Sequence, residues 1–278
     1  MSLERSFVLS IASLALAASP AMAGLKYTVS VHSGGDGDYG GSVDARMDVS
    51  VSGASAKAVF ATPLPTLSAG SYLLTTDGGA KTVLVDPEAH TYSAFGAGVL
   101  SGMPSNIDSL QNGTAMVPMT TENVKVEELG ADDGGTIEGF HAKHVRIRVS
   151  YDRILKVPMM KQSMRTVIED EVWVTDEVSD AGTKVWTVRP PEVPGGVGAA
   201  ELAAAYGKIQ GFVLKSKRTT SSKAGHDFRA MTETSEVSSV VKADIPEDTF
   251  AIPAGFEEVQ GGPMRPQGGS QMPDLPDE

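Results

Sequence analysis

The sequence predicts a mainly β (α+β) fold of antiparallel strands with few helices. Three features carry this expectation. Apolar residues recur at every second position over several stretches. Gly- and Asp-rich turn sequences separate those stretches, and only one segment has the composition of a strong helix former. Period-two alternation is the mark of a strand with one wet and one buried face.

The first 23 residues read as a secretory signal peptide. Arg5 supplies positive charge near the start, offset by Glu4, and residues 7–18 form an apolar run of h-region length. Pro20 then breaks the segment, and Ala21-Met22-Ala23 is a small-x-small cleavage site, so cleavage is expected after Ala23. The run is shorter than the ~20 apolar residues that span a bilayer. Loss of one Arg and one Glu leaves the net charge of −12 unchanged.

The strands follow. Leu25, Tyr27, Val29 and Val31 alternate with polar residues, and Met47, Val49 and Val51 do the same. Gly34-Gly35-Asp36-Gly37-Asp38 separates these two runs. Thr76-Asp77-Gly78-Gly79 separates Tyr72-Leu73-Leu74 from Val83-Leu84-Val85, and Asp132-Asp133-Gly134-Gly135 is expected to turn between two further runs. Gly and Asp supply the positive-φ positions of hairpin turns, so strands joined this way run antiparallel. Val145, Ile147, Val149 and Tyr151 form the clearest later alternation, and Phe212, Leu214, Val237 and Val241 continue it.

Helices are few. One is expected around residues 106–111, and the better one over residues 198–206, stopped by Gly207. Residues 189–194 hold three prolines and read as an extended connector, while residues 159–165 are ambiguous. Residues 261–278 hold four prolines and four glycines, too few apolar groups to fold, and are expected to be a disordered acidic tail.

Composition bounds the chemistry. The chain has 278 residues, 23 basic and 35 acidic side chains, and 41% hydrophobic residues, enough for a core. The mature length suits one large domain or two small ones. With no cysteine there is no disulfide, thiol nucleophile or diacylglyceryl anchor. The acidity argues against nucleic acid and anionic membranes as general partners. An exported chain without cysteine points to a bacterial periplasm or exterior.

Catalytic and metal motifs do not emerge. The sequence has no G-x-S-x-G elbow, Walker A loop or H-E-x-x-H helix. His141 and His144 would face opposite sides of a strand, and Asp36 and Asp38 lack the further ligands of a calcium loop. No metal and no cofactor is expected. Glu169 and Glu171 should share a strand face, with Arg146 and Arg148 placed to form a cross-strand charge ladder. Trp173 and Trp186 are either packing residues or an aromatic wall for an apolar ligand. Met103, Met116, Met119, Met159, Met160 and Met164 gather in irregular segments, as mobile packing or as a plastic lining.

Several segments together resemble a known group. They are residues 72–95, Ile137-Glu138-Gly139-Phe140-His141-Ala142-Lys143-His144, Glu171-Val172-Trp173-Val174-Thr175 and Gly211-Phe212-Val213-Leu214-Lys215. The most telling is Pro246, Phe250, Ile252-Pro253 and Gly255-Phe256. This pattern resembles an uncharacterised family of exported bacterial proteins, a DUF4412-like group, which is similar to the LolA/LolB/LppX-like lipoprotein-carrier superfamily. The resemblance implies one domain over residues 24–260. Its large curved antiparallel sheet would form an incomplete barrel, with the concave face covered by short helices over an apolar cavity. It implies a periplasmic carrier without enzymatic activity for a lipid, a lipoprotein acyl chain or another hydrophobic small molecule. Lacking the lipobox cysteine, the chain would not be membrane-anchored.

From the alternation, Val145, Ile147, Val149 and Tyr151 are the candidate lining residues, with Tyr92, Phe95, Trp173, Phe212 and Leu214 added to them. A cell-envelope scaffold with a protein partner for its tail, and an enzyme with a dispersed site around His141 or His144, are the rival readings.

Overall fold

A computed structural model describes residues 22–35, 42–64, 67–96, 119–157, 160–178, 188–225 and 227–259. The strands are β1 (Met22–Gly35), β2 (Val43–Ser52), β3 (Ser55–Phe60), β4 (Tyr72–Thr75), β5 (Lys81–Asp86) and β6 (Thr91–Gly96). They continue with β7 (Met119–Ile137), β8 (Phe140–Val157), β9 (Met160–Thr175), β10 (Phe212–Ala224), β11 (Asp227–Ile245) and β12 (Glu257–Glu258). Together they make one 12-stranded sheet in the order β12-β6-β5-β4-β3-β2-β1-β11-β10-β9-β8-β7. The two ends of the order do not pair with each other, so the sheet is open. All neighbours are antiparallel except β12 and β6. The mainly β, antiparallel fold is therefore as the alternation and turn chemistry imply, and the open sheet is as the family resemblance implies.

The first strand lies in the middle of the sheet. Val29 pairs with Met47 of β2 on one side and Val237 of β11 on the other. Leu25, Tyr27, Val29 and Val31 are buried, with Val49, Val51, Ala56 and Ala58 on the same cluster. A second cluster seats the one described α-helix, α1 (Ala199–Tyr206), on β8 and β9. Its Leu202, Ala205 and Tyr206 meet Ile147, Val149, Tyr151 and Ile168. Gly207 caps it as expected, although in right-handed geometry. A third cluster packs Phe250, Ile252 and Phe256 of the C-terminal segment on Tyr72, Leu74, Val83 and Val85. Here the Pro-rich ending does structural work: it covers one face of the β4–β6 end and adds β12 to its edge.

Two local readings need correction. Residues 132–135 do not turn the chain. β7 continues through them with a bulge between Asp133 and Thr136, and the reversal comes at Glu138-Gly139. The physical reason is a close approach. A Cβ on Gly134 would stand 2.8 Å from Trp173 Cδ1 and 2.9 Å from the Ala142 carbonyl oxygen. Glycine is thus required by packing against a neighbouring strand, not by a hairpin. Likewise Val237 is buried but Val241 is exposed, because β11 is irregular at Ser239, whose φ is 57°. The ambiguous residues 160–165 are strand.

Residues 1–21, the helix expected at 106–111, Trp186 and the tail at 261–278 lie outside the described residues. β1 begins two residues before the expected cleavage point at Ala23. No described helix is long and apolar enough to cross a membrane.

Candidate functional site

The candidate site is a cleft of about 430 Å³ formed across β1, β9, β10 and β11 and the β7–β8 turn. Trp173, Leu214, Val237 and Ile137 give it apolar surface, and Lys215, Glu236, Glu138, Ser30 and Ser238 give it a polar margin. The turn reaches the cleft by crossing over two strands. Glu138 accepts a hydrogen bond from the Ser239 backbone N–H at 2.8 Å, although β9 and β10 separate that hairpin from β11 in the sheet order. Ile137 and Phe140 follow it down and pack on the central cluster beside Trp173.

One continuous cross-strand row runs into the cleft: Asp132, His144, Trp173, Lys215, Glu236 and Ser30 are successive register partners, and the last four line it. His144 stacks on the Trp173 indole with ring centroids 4.2 Å apart and planes at 8°. Its Nδ1 lies 3.0 Å from Asp132. Its Nε2 is 3.3 Å from Glu171 but out of hydrogen-bond line. Lys215 Nζ sits 5.5 Å from the centre of the Trp173 ring and 2.5 Å from Glu236. The indole thereby has His144 stacked on it and Lys215 beside its ring, and forms an aromatic wall. Next along the strands is the expected charge ladder. Arg146 and Arg148 are register partners of Glu171 and Glu169, Arg148 reaches Glu169 at 2.7 Å, and Lys217 reaches Glu171 at 3.2 Å.

On the other side of β9, Asp170 is 3% exposed and receives both Arg218 Nε at 2.7 Å and Arg218 Nη2 at 2.9 Å. Tyr206 of α1 donates to the same carboxylate, and Arg218 also donates to the Arg189 carbonyl at 2.7 Å. Burial, then the Asp170 charge, holds the Tyr206 hydroxyl well above the ordinary tyrosine value. Burial opposes the Arg218 charge, but the Asp170 hydrogen bonds and charge outweigh it and raise its pKa. Glu233, the register partner of Arg218, is pushed up by burial, with Arg218 opposing and Asp170 reinforcing. This network ties helix to sheet; it lines no part of the cleft described above.

The sequence candidates divide between these places. Trp173 and Leu214 line the cleft, and Phe212 packs in the adjoining core with its ring edge-on to Tyr27 at 5.1 Å. Ile147, Val149 and Tyr151 lie beneath α1 in direct contact with it, and Val145 is half-buried opposite Val172. Tyr92 belongs to the cluster under the C-terminal segment and Phe95 to that of Phe60 and Leu73. The sequence reading missed Ile137, Val237, Lys215, Glu138 and Glu236. Alternation does place Val237 on a strand, without assigning it to the lining, but the fold-over of the hairpin that brings Ile137 and Glu138 has no local signature. Among the described residues no group of three or more His, Asp or Glu could hold a metal ion.

No family model matches the chain, and no curated protein matches it. Among solved structures it is similar to a LolA superfamily protein from Nitrosomonas europaea, at 10% identity and a TM-score of 0.32, covering 84% of this chain and 91% of that one. It is also similar to PNGF-II in two space groups. Identities are 11% and 10%, with TM-scores of 0.30 and 0.29. Those alignments span 84% and 81% of this chain but only 30% and 29% of the PNGF-II chain. These are distant likenesses, and the fold rests on the chain's own strand order and register.

Proposed function

We propose that the protein is an exported, non-catalytic binding protein that carries a hydrophobic small molecule or acyl chain in the periplasm. The observation that supports this reading is the cleft of about 430 Å³ walled by the Trp173 indole with Leu214, Val237 and Ile137. Its size falls in the range of small-molecule sites, which are mostly apolar with a few polar groups to orient the ligand. Each methylene removed from water there is worth ~0.8 kcal/mol, so useful affinity needs no reactive group. The Lys215–Glu236 pair and Glu138 at the margin would meet a polar head group.

The test is native mass spectrometry and solvent extraction of protein made with its export segment. A bound amphiphile, lost in Trp173→Ala, is expected. Protein that carries no extractable lipid, and that gains none when offered fatty acid, would refute the reading.

A further inference from the structure

We infer that the far end of the β8–β11 wing is a docking surface for an anionic phospholipid bilayer. Phe228 is 63% exposed, the most exposed large apolar side chain among those described. It sits at the start of β11, one residue after Asp227. Its register partner across the hairpin is Lys223, whose partner on β9 is Arg165. Arg229 follows Phe228 and is exposed, as Lys223 is. Arg153 lies on β8 beside this end, and Lys156 and Lys161 are register partners farther out on the β8–β9 ribbon. Among the described residues, the basic positions of this end stand against three acidic ones, Asp152, Asp227 and Glu122, the last being the register partner of Asp152. Asp152 is occupied by Asn123 at 2.7 Å and Arg165 at 3.1 Å.

A cationic end with an aromatic tip is unusual on a chain of net charge −12. The combination selects the partner. An apolar side chain alone would fit any hydrophobic surface, but a phenylalanine with Lys223 as its register partner and Arg229 as its chain neighbour fits a layer whose surface is negative and whose interior is apolar. The remaining acidic surface is repelled by that same layer. The charge asymmetry would therefore orient the molecule with this end down before contact. The cleft lies at the opposite end of the strands: from Lys215 to Lys223 is eight residues, about 26 Å at ~3.3 Å per residue. Docking there would leave the cleft away from the bilayer plane, so the surface stands independently of the carrier reading.

The experiment is co-sedimentation of the whole protein with vesicles of phosphatidylglycerol and phosphatidylcholine, and with vesicles of phosphatidylcholine alone. Binding to the anionic vesicles only is expected, weakened by salt. Each of Lys223→Gln and Arg229→Gln should weaken it about fivefold, since a basic residue near an anionic surface is worth ~1 kcal/mol. Phe228→Ser should weaken it further, with an unchanged unfolding midpoint because the side chain is exposed. Absence of binding to anionic vesicles, equal binding to neutral ones, or full binding by the Phe228→Ser/Lys223→Gln double variant overturns the inference.

Discussion

Tyr206 on the helix donates its hydroxyl hydrogen to Asp170 on the sheet, and Arg218 grips the same carboxylate with two nitrogens. The helix thus carries a polar anchor inside an otherwise apolar contact. Tyr206→Phe deletes one bond to a charged group and should cost about 1.5–3 kcal/mol. Asp170→Ala should cost more, about 3–5 kcal/mol, because it leaves the Arg218 charge desolvated and unpaired. Urea unfolding of the two single variants and the double variant separates the two effects. If the double variant loses the sum of the singles, the groups are not coupled and the anchor is not a unit.

The same anchor should show in alkali. The Tyr206 hydroxyl is held protonated above its ordinary value, first by burial and then by Asp170. A group raised on folding contributes stability below its unfolded value, and that stability falls away as pH rises beyond it. Stability should therefore decline from about pH 10 upward. The decline should be shallower in Tyr206→Phe, as followed by chemical unfolding across the alkaline range. An identical slope in the variant counts against the assignment.

Glu233 follows the same sign at lower pH. Burial raises its carboxyl, so the fold favours the protonated form. Stability from this group is present below the ordinary glutamate range and is lost as pH climbs through the raised value. Glu233→Gln should accordingly match the parent in acid and exceed it at neutral pH. Unfolding midpoints measured from acid to neutral pH would show the curves diverging in that direction only.

Gly134→Ala should be destabilising by about 1–3 kcal/mol, the usual cost of overpacking. The new methyl would meet the Ala142 carbonyl oxygen at 2.9 Å, and backbone cannot swing away as a side chain can. Its other neighbour is Trp173 at 2.8 Å. Displacing that indole should also blue- or red-shift its emission and weaken binding of an apolar dye. Gly135→Ala, at a position with φ of 74° but open space, should destabilise without touching dye binding.

Trp173→Ala should lower affinity for an apolar dye by tenfold or more, since a fully truncated aromatic anchor costs upward of 2 kcal/mol. His144→Ala should lower it less, by freeing the indole on one side only. Equal affinities for all three proteins would move the binding surface elsewhere in the molecule.

Much of the fold was legible because strand alternation is a local property. Leu25, Tyr27, Val29 and Val31 announce a buried face without reference to any partner. So do Ile147, Val149 and Tyr151, and the ladder of Arg146 and Arg148 with Glu169 and Glu171 followed from spacing alone. What covers each face is a different matter. Ile147 and Val149 carry the same signal as Val237, yet a helix seals the first two and a cleft borders the third. That distinction depends on where Leu202 and Ile137 arrive from distant parts of the chain. Glycine misled for a related reason: Gly134 reads as a turn, but its small size answers to Trp173 on another hairpin.

Strand β1 pairs on one side with β2, its neighbour in the chain, and on the other with β11, where Thr234 meets His32 from 202 residues away. The sheet therefore has a seam in its centre that only the last long strand can close. Until that strand is available, Tyr27 and Val29 have half their neighbours, and neither flank of the sheet can reach its final depth of burial. Pairings of such separation are slow to form and carry a large loop-closure cost. The seam makes folding an end-stage event. A chain interrupted before residue 227 should lack the partner that β1 needs on its second side.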